Sequence, residues 1–225
     1  MFIHIPKLLN SQQLAFIDEL IASAQFVDGK SSAGVTSREV KQNEQLDLRD
    51  EGQLNQLVQI LSESINASAS ARTALMPRRM TAPVISRYRE NMDYGWHIDN
   101  AMMAGVGVPV RADIACTLFL KDSKDYVGGE LEINSSSGNS SVKLERGDAF
   151  FYPAGTRHRV NPVTSGERQV LVFWIQSLIA DTAKRELLYD LGISYENVYR
   201  ENPESPALLP LQKSQASLLR MWAEP

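Results

Sequence analysis

The feature that most constrains the fold is a run of short β-type segments between residues 79 and 178. These segments are rich in Val, Ile, Phe, Tyr and Thr, and Gly, Asp, Asn and Pro separate them at the spacing of about 8–12 residues typical of a β-sandwich or barrel. The segments are APVISRYRE, GWHID, ADIACTLFLKD, GELEI, SVKLE, DAFFYP, HRVNPV and RQVLVFWIQ. The sequence therefore predicts a mostly antiparallel β core.

Helical patterns lie on both sides of this core. Before it, apolar residues from Leu14 to Ile21 recur at helical spacing behind Ser11, a candidate N-cap, and residues 51–65 repeat the pattern. After it, Asp181 is a candidate N-cap and Gly192 a candidate C-terminal glycine of a further helix.

We therefore predict a mainly β fold with flanking helices, of the α+β class. The predicted parts are an N-terminal helical support at residues 1–78, the β core at residues 79–178 and a C-terminal helical extension at residues 179–225.

Composition limits the chemistry. The 225 residues include three histidines and one cysteine, Cys116, so neither an internal disulfide nor a cysteine-built metal site is expected. The net charge of −4 argues against a nucleic-acid partner, which requires a basic patch. We expect no membrane span and no signal peptide, because long apolar runs and a basic start are missing from the sequence, and we predict a cytoplasmic protein.

Three residues form a candidate metal site. His97 and Asp99 are two positions apart in a predicted strand, so their side chains lie on one face, and His158 begins another predicted strand after the turn PAGTR. Two imidazoles and one carboxylate make the facial triad that binds non-haem Fe(II) and leaves positions open for a cosubstrate and dioxygen. The third histidine, His4, has no carboxylate at ligand spacing and is predicted to be structural.

Arg168 is a candidate cosubstrate ligand. In its strand it shares one face with Val170, Val172 and Trp174, and a guanidinium on such an apolar face is costly unless it is paired with an anion. A dicarboxylate cosubstrate would supply that anion, since the guanidinium binds a carboxylate through two parallel hydrogen bonds. Tyr88, on the strand preceding His97, can donate its hydroxyl to the same carboxylate.

Three segments carrying these residues resemble the Fe(II)- and 2-oxoglutarate-dependent dioxygenases of the prolyl 4-hydroxylase superfamily, and most closely the bacterial PKHD-type hydroxylases. The segments are RYRENMDYGWHIDNAM, RADIACTLFLKDSKDYVGGELEI and LERGDAFFYPAGTRHRVNPVTSGERQVLVFWIQS. The resemblance covers residues 79–178, and the C-terminal helical part is similar to the end of the same proteins. It implies a double-stranded β-helix, or jelly roll.

The resemblance also implies roles for individual residues. His97, Asp99 and His158 would be the catalytic iron ligands, Arg168 and Tyr88 would bind 2-oxoglutarate, and Leu131 would line the cosubstrate pocket. The implied activity is hydroxylation of a C–H bond in a peptidyl substrate, with proline as a candidate, using dioxygen and releasing succinate and carbon dioxide. L-Ascorbate would re-reduce the iron after uncoupled turnover.

Several alternatives stay open at this point. The substrate can be a free amino acid or a small metabolite, because a scaffold does not identify a substrate. A non-catalytic protein that binds iron or 2-oxoglutarate is a further alternative, and the oligomeric state, including a homodimer, is undetermined. Five more residues near the motifs are candidates for substrate contact without a spacing argument: Asn100, Met102, Met103, Arg111 and Tyr126.

Overall fold

The structure is a computed structural model that describes residues 1–32, 34–104, 108–135 and 138–224. Of the helices in these ranges, none is both long and apolar enough to cross a membrane. The helices are α1 (Ser11–Ser23), α2 (Val35–Arg38), α3 (Glu51–Ala67), α4 (Ala69–Leu75), α5 (Thr182–Glu201) and α6 (Leu208–Trp222).

Strands make up the centre of the molecule, and every strand pair in the described ranges is antiparallel. The strands are β1 (Ile3–Ile5), β2 (Phe26–Asp28), β3 (Lys41–Gln42), β4 (Glu44–Leu46), β5 (Pro77–Met80), β6 (Val84–Tyr88), β7 (Asp93–His97), β8 (Met102–Met103), β9 (Val110–Arg111), β10 (Ile114–Phe119), β11 (Tyr126–Gly128), β12 (Leu131–Ser135), β13 (Gly138–Val142), β14 (Ala149–Pro153), β15 (His158–Val160), β16 (Val163–Gly166) and β17 (Arg168–Ser177).

Two sheets carry the fold. In the described part of the chain, the larger has eight strands in the order β1-β14-β10-β17-β6-β4-β2, with β5 also paired to β17. The smaller has five strands in the order β13-β12-β15-β7-β3, and the pairs β11-β16 and β8-β9 form two further two-stranded sheets. Two antiparallel sheets with flanking helices agree with the predicted jelly-roll class.

Strand β17 separates the hydrophobic core from an internal cavity. Leu171, Phe173 and Ile175 point into a core that includes buried residues of α1, α3 and α4. The alternate residues line the cavity on the other side of the sheet, and they are Arg168, Val170, Val172 and Trp174. The predicted division of this strand into two faces is therefore confirmed.

Of the three predicted single-residue helix ends, the N-cap Asp181 is confirmed, because its side chain accepts hydrogen bonds from the backbone N–H groups of Ala183 and Lys184. The other two predictions were wrong. The N-cap of α1 is Asn10 and not Ser11, because the Asn10 side chain accepts a hydrogen bond from the backbone N–H of Gln13 at 3.0 Å. The helix after Asp181 does not end at Gly192. A Cβ atom at Gly192 would lie 2.9 Å from Cγ2 of Thr73, so this glycine permits close packing of α5 on α4.

The N-terminal segment supplies strands as well as helices. Strand β1 pairs with β14, β4 pairs with β6, and β3 pairs with β7. His4 on β1 lies 2.8 Å from Asp148, as expected for a structural histidine. The division of the chain at residues 78 and 178 stays a prediction.

We expect Phe173→Ala to destabilise the protein by about 3–5 kcal/mol, because it removes a large side chain from a packed core. Phe173 is fully buried and makes an edge contact with Phe151 at 6.2 Å between ring centroids. Urea unfolding of both proteins measures the difference. The control is Val127→Ala at a 60% exposed position, where we expect a change within about 0.5 kcal/mol. Equal losses in the two variants would contradict the assignment of this core.

Candidate metal and cosubstrate site

The pairing of β7 with β15 brings the predicted metal ligands together. His97 is the last residue of β7, His158 is the first of β15, and the two are register partners. Asp99 lies two residues beyond the end of β7, so the prediction that it shares a strand with His97 was wrong, although its Oδ1 lies 3.9 Å from Nε2 of each histidine. One ligand atom from each of the three side chains lies within 4.8 Å of the others. This spacing is compatible with one metal ion.

Hydrogen bonds orient each side chain toward the others. Nδ1 of His97 donates to the carbonyl oxygen of Gly95 at 2.8 Å, and Nδ1 of His158 donates to that of Thr156 at 2.9 Å. A carbonyl only accepts, so the proton is on Nδ1 and the lone pair of Nε2 is free for a metal. Trp174 fixes the carboxylate by donating from Nε1 to Oδ2 of Asp99 at 2.8 Å.

Electrostatics keep His97 neutral. Burial and, to a smaller extent, the neighbouring His158 lower the pKa of His97 to about 3, although the hydrogen bond to the Gly95 carbonyl acts in the opposite direction. Burial raises the pKa of the Asp99 carboxyl, whereas His158 and Trp174 act in the opposite direction. A divalent cation would compensate this buried carboxylate, and neutral imidazoles are the form that binds metals.

Arg168 is a buried cation without an ionic partner among the described residues. It is 1% exposed, and within those residues its Nε and Nη1 atoms have no hydrogen-bond partner. Two aromatic rings flank the guanidinium, with centroids 5.0 Å away at Tyr88 and 5.8 Å away at Phe119. The hydroxyl of Tyr126, beside Arg168, likewise has no partner in the described part of the chain. Such buried donors fit an anionic ligand.

Two residues beside Arg168 complete this end of the site. Tyr88 is its register partner on β6, and burial raises the pKa of the Tyr88 hydroxyl while Arg168 and Asn43 lower it. Gly129 has a φ of +68°, and a Cβ atom there would lie 3.0 Å from Cδ of Arg168. The second glycine of the Gly128-Gly129 pair therefore leaves room for the arginine side chain.

One cavity of about 330 Å³ joins the two groups of residues. Its wall contains every predicted site residue: Tyr88, His97, Asp99, Leu131, His158 and Arg168. Among the five further substrate-contact candidates, Asn100 and Met103 also line it. Met102 is exposed, and Arg111 forms ion pairs with Asp113 and Glu224. Neither residue lines the cavity.

The sequence does not single out Lys41, which also lines the cavity from β3. It is 5% exposed, and its Nζ donates to Oγ of Ser32 at 2.9 Å. Burial lowers the pKa of Lys41 to about 8, although Asp28 and Asp99 raise it. The lysine lies in a polar, turn-rich segment with no apolar periodicity, so no sequence signal indicates that it faces the cavity.

Trp174 and Asn43 are also missing from the sequence prediction. For Trp174 a signal exists, because strand alternation places it on the same face as Arg168. For Asn43 no such signal exists, because its burial depends on the packing of the N-terminal segment on the sheet. In the structure its Oδ1 is a buried acceptor without a partner among the described residues.

Comparison with known proteins agrees with this geometry. Residues 83–176 match the model of the 2OG-Fe(II) oxygenase superfamily. A PKHD-type hydroxylase of Gloeothece citriformis is 40% identical over 225 residues, and one of Pseudomonas putida strain W619 is 39% identical over 228 residues, each alignment covering 100% of both chains.

Solved structures show the same fold at low identity. A prolyl hydroxylase of Trichoplax adhaerens, in complex with a peptide fragment of the hypoxia inducible factor oxygen degradation domain, aligns with a TM-score of 0.57 and 17% identity. The alignment covers 83% of this chain and 86% of that one. The chain therefore belongs to the PKHD-type hydroxylases of the 2OG-Fe(II) oxygenase superfamily, and it is a dioxygenase that uses Fe(II) and 2-oxoglutarate.

Proposed function

We propose that this enzyme hydroxylates a C–H bond of a peptidyl substrate, with proline as the candidate residue, and releases succinate and carbon dioxide. The observation that carries the proposal is a single cavity with a two-histidine, one-carboxylate cluster and a buried guanidinium that lacks an anion. In a protein that bound only a metal, this guanidinium would stay buried without an anion, which is energetically costly.

His97, Asp99 and His158 are proposed to hold Fe(II) on one face, which leaves the opposite positions open. When bound, Fe(II) and 2-oxoglutarate supply the chemistry that uses dioxygen to convert C–H into C–OH, with 2-oxoglutarate leaving as succinate and carbon dioxide. Trp174 positions Asp99 by donating its indole N–H to Oδ2, so Oδ1 would be available to a metal.

Arg168 and Tyr88 are proposed to bind the 5-carboxylate of 2-oxoglutarate. Nε and Nη1 of Arg168 have no hydrogen-bond partner among the described residues, so the guanidinium keeps donors for a carboxylate, and the Tyr88 hydroxyl provides another. Leu131 is 1% exposed on the cavity wall and excludes water from the same region. The apolar surroundings strengthen the charge–charge attraction.

The support for a peptidyl substrate comes from a protein with the same fold. The solved structure of the Trichoplax enzyme contains a peptide fragment, and that enzyme has the same fold as this chain. L-Ascorbate is proposed as the reductant that restores Fe(II) after uncoupled turnover. The cytoplasmic location stays a prediction.

We expect Asp99→Ala to reduce succinate formation from 2-oxoglutarate at least about 100-fold, because it removes the anionic metal ligand. The assay contains Fe(II), ascorbate and 2-oxoglutarate, and succinate is quantified by mass spectrometry. Asp190→Ala, at an exposed position of α5, serves as the matched control and should retain the wild-type rate. Succinate formation by Asp99→Ala at that rate would refute the ligand assignment.

We expect Arg168→Met to raise the Kd for 2-oxoglutarate about 100-fold, since one partner of a buried ion pair is lost. Calorimetry on Mn(II)-loaded protein measures this Kd, and Arg79→Met is the control at an exposed arginine. Metal binding should change little, and thermal unfolding should not occur at a lower temperature, because the variant buries no unpaired charge. An unchanged Kd would remove Arg168 from the cosubstrate site.

The metal itself should stabilise the fold. At a free Mn(II) concentration of about 100 Kd, we expect the free energy of unfolding of the wild type to rise by about 2.7 kcal/mol. EDTA should abolish this gain, and His158→Ala should show little of it. The measurement is thermal or urea unfolding with and without metal. An equal gain in His158→Ala would place the metal elsewhere.

A further inference from the structure

We propose that Lys41 binds a carboxylate group of the organic substrate beside the metal cluster. This inference rests on the proposed function, because it assumes that the cavity holds Fe(II), 2-oxoglutarate and the substrate together. It adds the chemical class of the substrate, an organic acid, and a residue that selects it.

The position of Lys41 places its charge next to the metal ligands. Its Nζ lies 5.3 Å from the ring centroid of Tyr94, and that ring stacks on His97 with a centroid distance of 3.6 Å. Lys41 and Tyr94 are register partners on the adjacent strands β3 and β7, and both line the cavity. A group bound by Lys41 would therefore lie close to the proposed metal ligand His97, with the Tyr94 ring between Lys41 and His97.

The hydrogen-bonding capacity of Lys41 is largely unused. An ammonium group has three donors, and among the residues that the structure describes this group donates one hydrogen bond, to Oγ of Ser32. Within the described residues Lys41 forms no ion pair with a carboxylate. A nearly buried ammonium in this state is costly, and an anion in the cavity would offset the cost.

Charge balance points to the substrate as the source of that anion. In the loaded cavity, the positive charges of Fe(II) and Arg168 equal the negative charges of Asp99 and dianionic 2-oxoglutarate. Lys41 therefore leaves the cavity with one net positive charge. Asp28 lies on the exposed side and is screened by water, so it compensates only part of that charge.

The character of this end of the cavity favours a carboxylate. Lys41 is accompanied there by neutral donors and acceptors, among them Ser32, Ser37 and Asn100. A single cation among neutral groups suits one negative charge, whereas phosphate sites usually add backbone N–H groups of a helix start or nest. The carboxylate can belong to a free small acid or to the C-terminus of a peptide.

The volume also limits what enters. About 330 Å³ is near the lower end of the usual range for ligand pockets, and 2-oxoglutarate takes part of it. The substrate therefore contributes only a short segment to the cavity. A carboxylate close to the reacting carbon fits this limit, because Lys41 lies so near the metal cluster.

The test compares acids with their amides on protein loaded with Mn(II) and 2-oxoglutarate. The pairs are N-acetylglycine, N-acetyl-L-proline and the tripeptide Ala-Ala-Pro, each as free acid and as amide, and calorimetry measures the Kd. The proteins are wild type, Lys41→Met, Lys41→Arg and Lys124→Met. The last removes the same charge from an exposed position.

We expect wild type to bind at least one acid about tenfold more tightly than its amide, as a charge-assisted hydrogen bond provides. Lys41→Met should lose this preference, while Lys41→Arg and Lys124→Met should keep it. A preference confined to the two acetylated amino acids identifies a free acid as the substrate. A preference that includes the tripeptide identifies a peptide C-terminus.

Four results would overturn the inference. The first three are equal binding of acids and amides by wild type, no binding of any acid, and a preserved preference in Lys41→Met. The fourth is a loss of 2-oxoglutarate affinity in Lys41→Met as large as its loss of acid affinity, which would assign Lys41 to the cosubstrate. If wild type with Mn(II) fails to bind 2-oxoglutarate at all, the proposed function itself fails. That outcome is distinguishable because it appears before any acid is added.

Discussion

The alternation of side chains along β17 governs both the fold and the site. Leu171, Phe173 and Ile175 on one face pack in the hydrophobic core with the helices. Arg168 and Trp174 on the other face line the cavity. The strand pairs with β10, β6 and β5, so a shift of its register by one residue would move the guanidinium into the hydrophobic core. The core and the cosubstrate site are therefore specified by the same strand.

The cavity concentrates charges that the protein alone does not neutralise. Asp99, Arg168 and Lys41 are all shielded from solvent, and their closest partners are neutral groups such as the Trp174 indole, the Tyr88 ring and the Ser32 hydroxyl. Burying charges in this way opposes stability, and it is favourable only when ligands supply the opposite charges. Metal, cosubstrate and acid would each compensate one of these groups, which couples ligand binding to the stability of the fold.

The two parts of the site differ in where they come from in the chain. The metal cluster and Arg168 lie within the segment that matches the oxygenase family model, whereas Lys41 and Asn43 come from the N-terminal segment outside it. Short strands in that segment, such as β3, extend the sheets and place these polar side chains against the cavity. The β core thus holds the metal cluster and Arg168, and a neighbouring segment adds Lys41, which we propose recognises the substrate.

The sequence alone determined the features that depend on local periodicity. The alternating strands and the two faces of β17 follow from period-two geometry, and the motifs indicated the family. Tertiary structure decided what depends on contacts between distant segments. It continued α5 past Gly192, which packs closely against Thr73 of α4, and it placed Lys41 inside the cavity by pairing β3 with β7. A two-residue strand has no readable period, so only non-local pairing reveals that its lysine is buried.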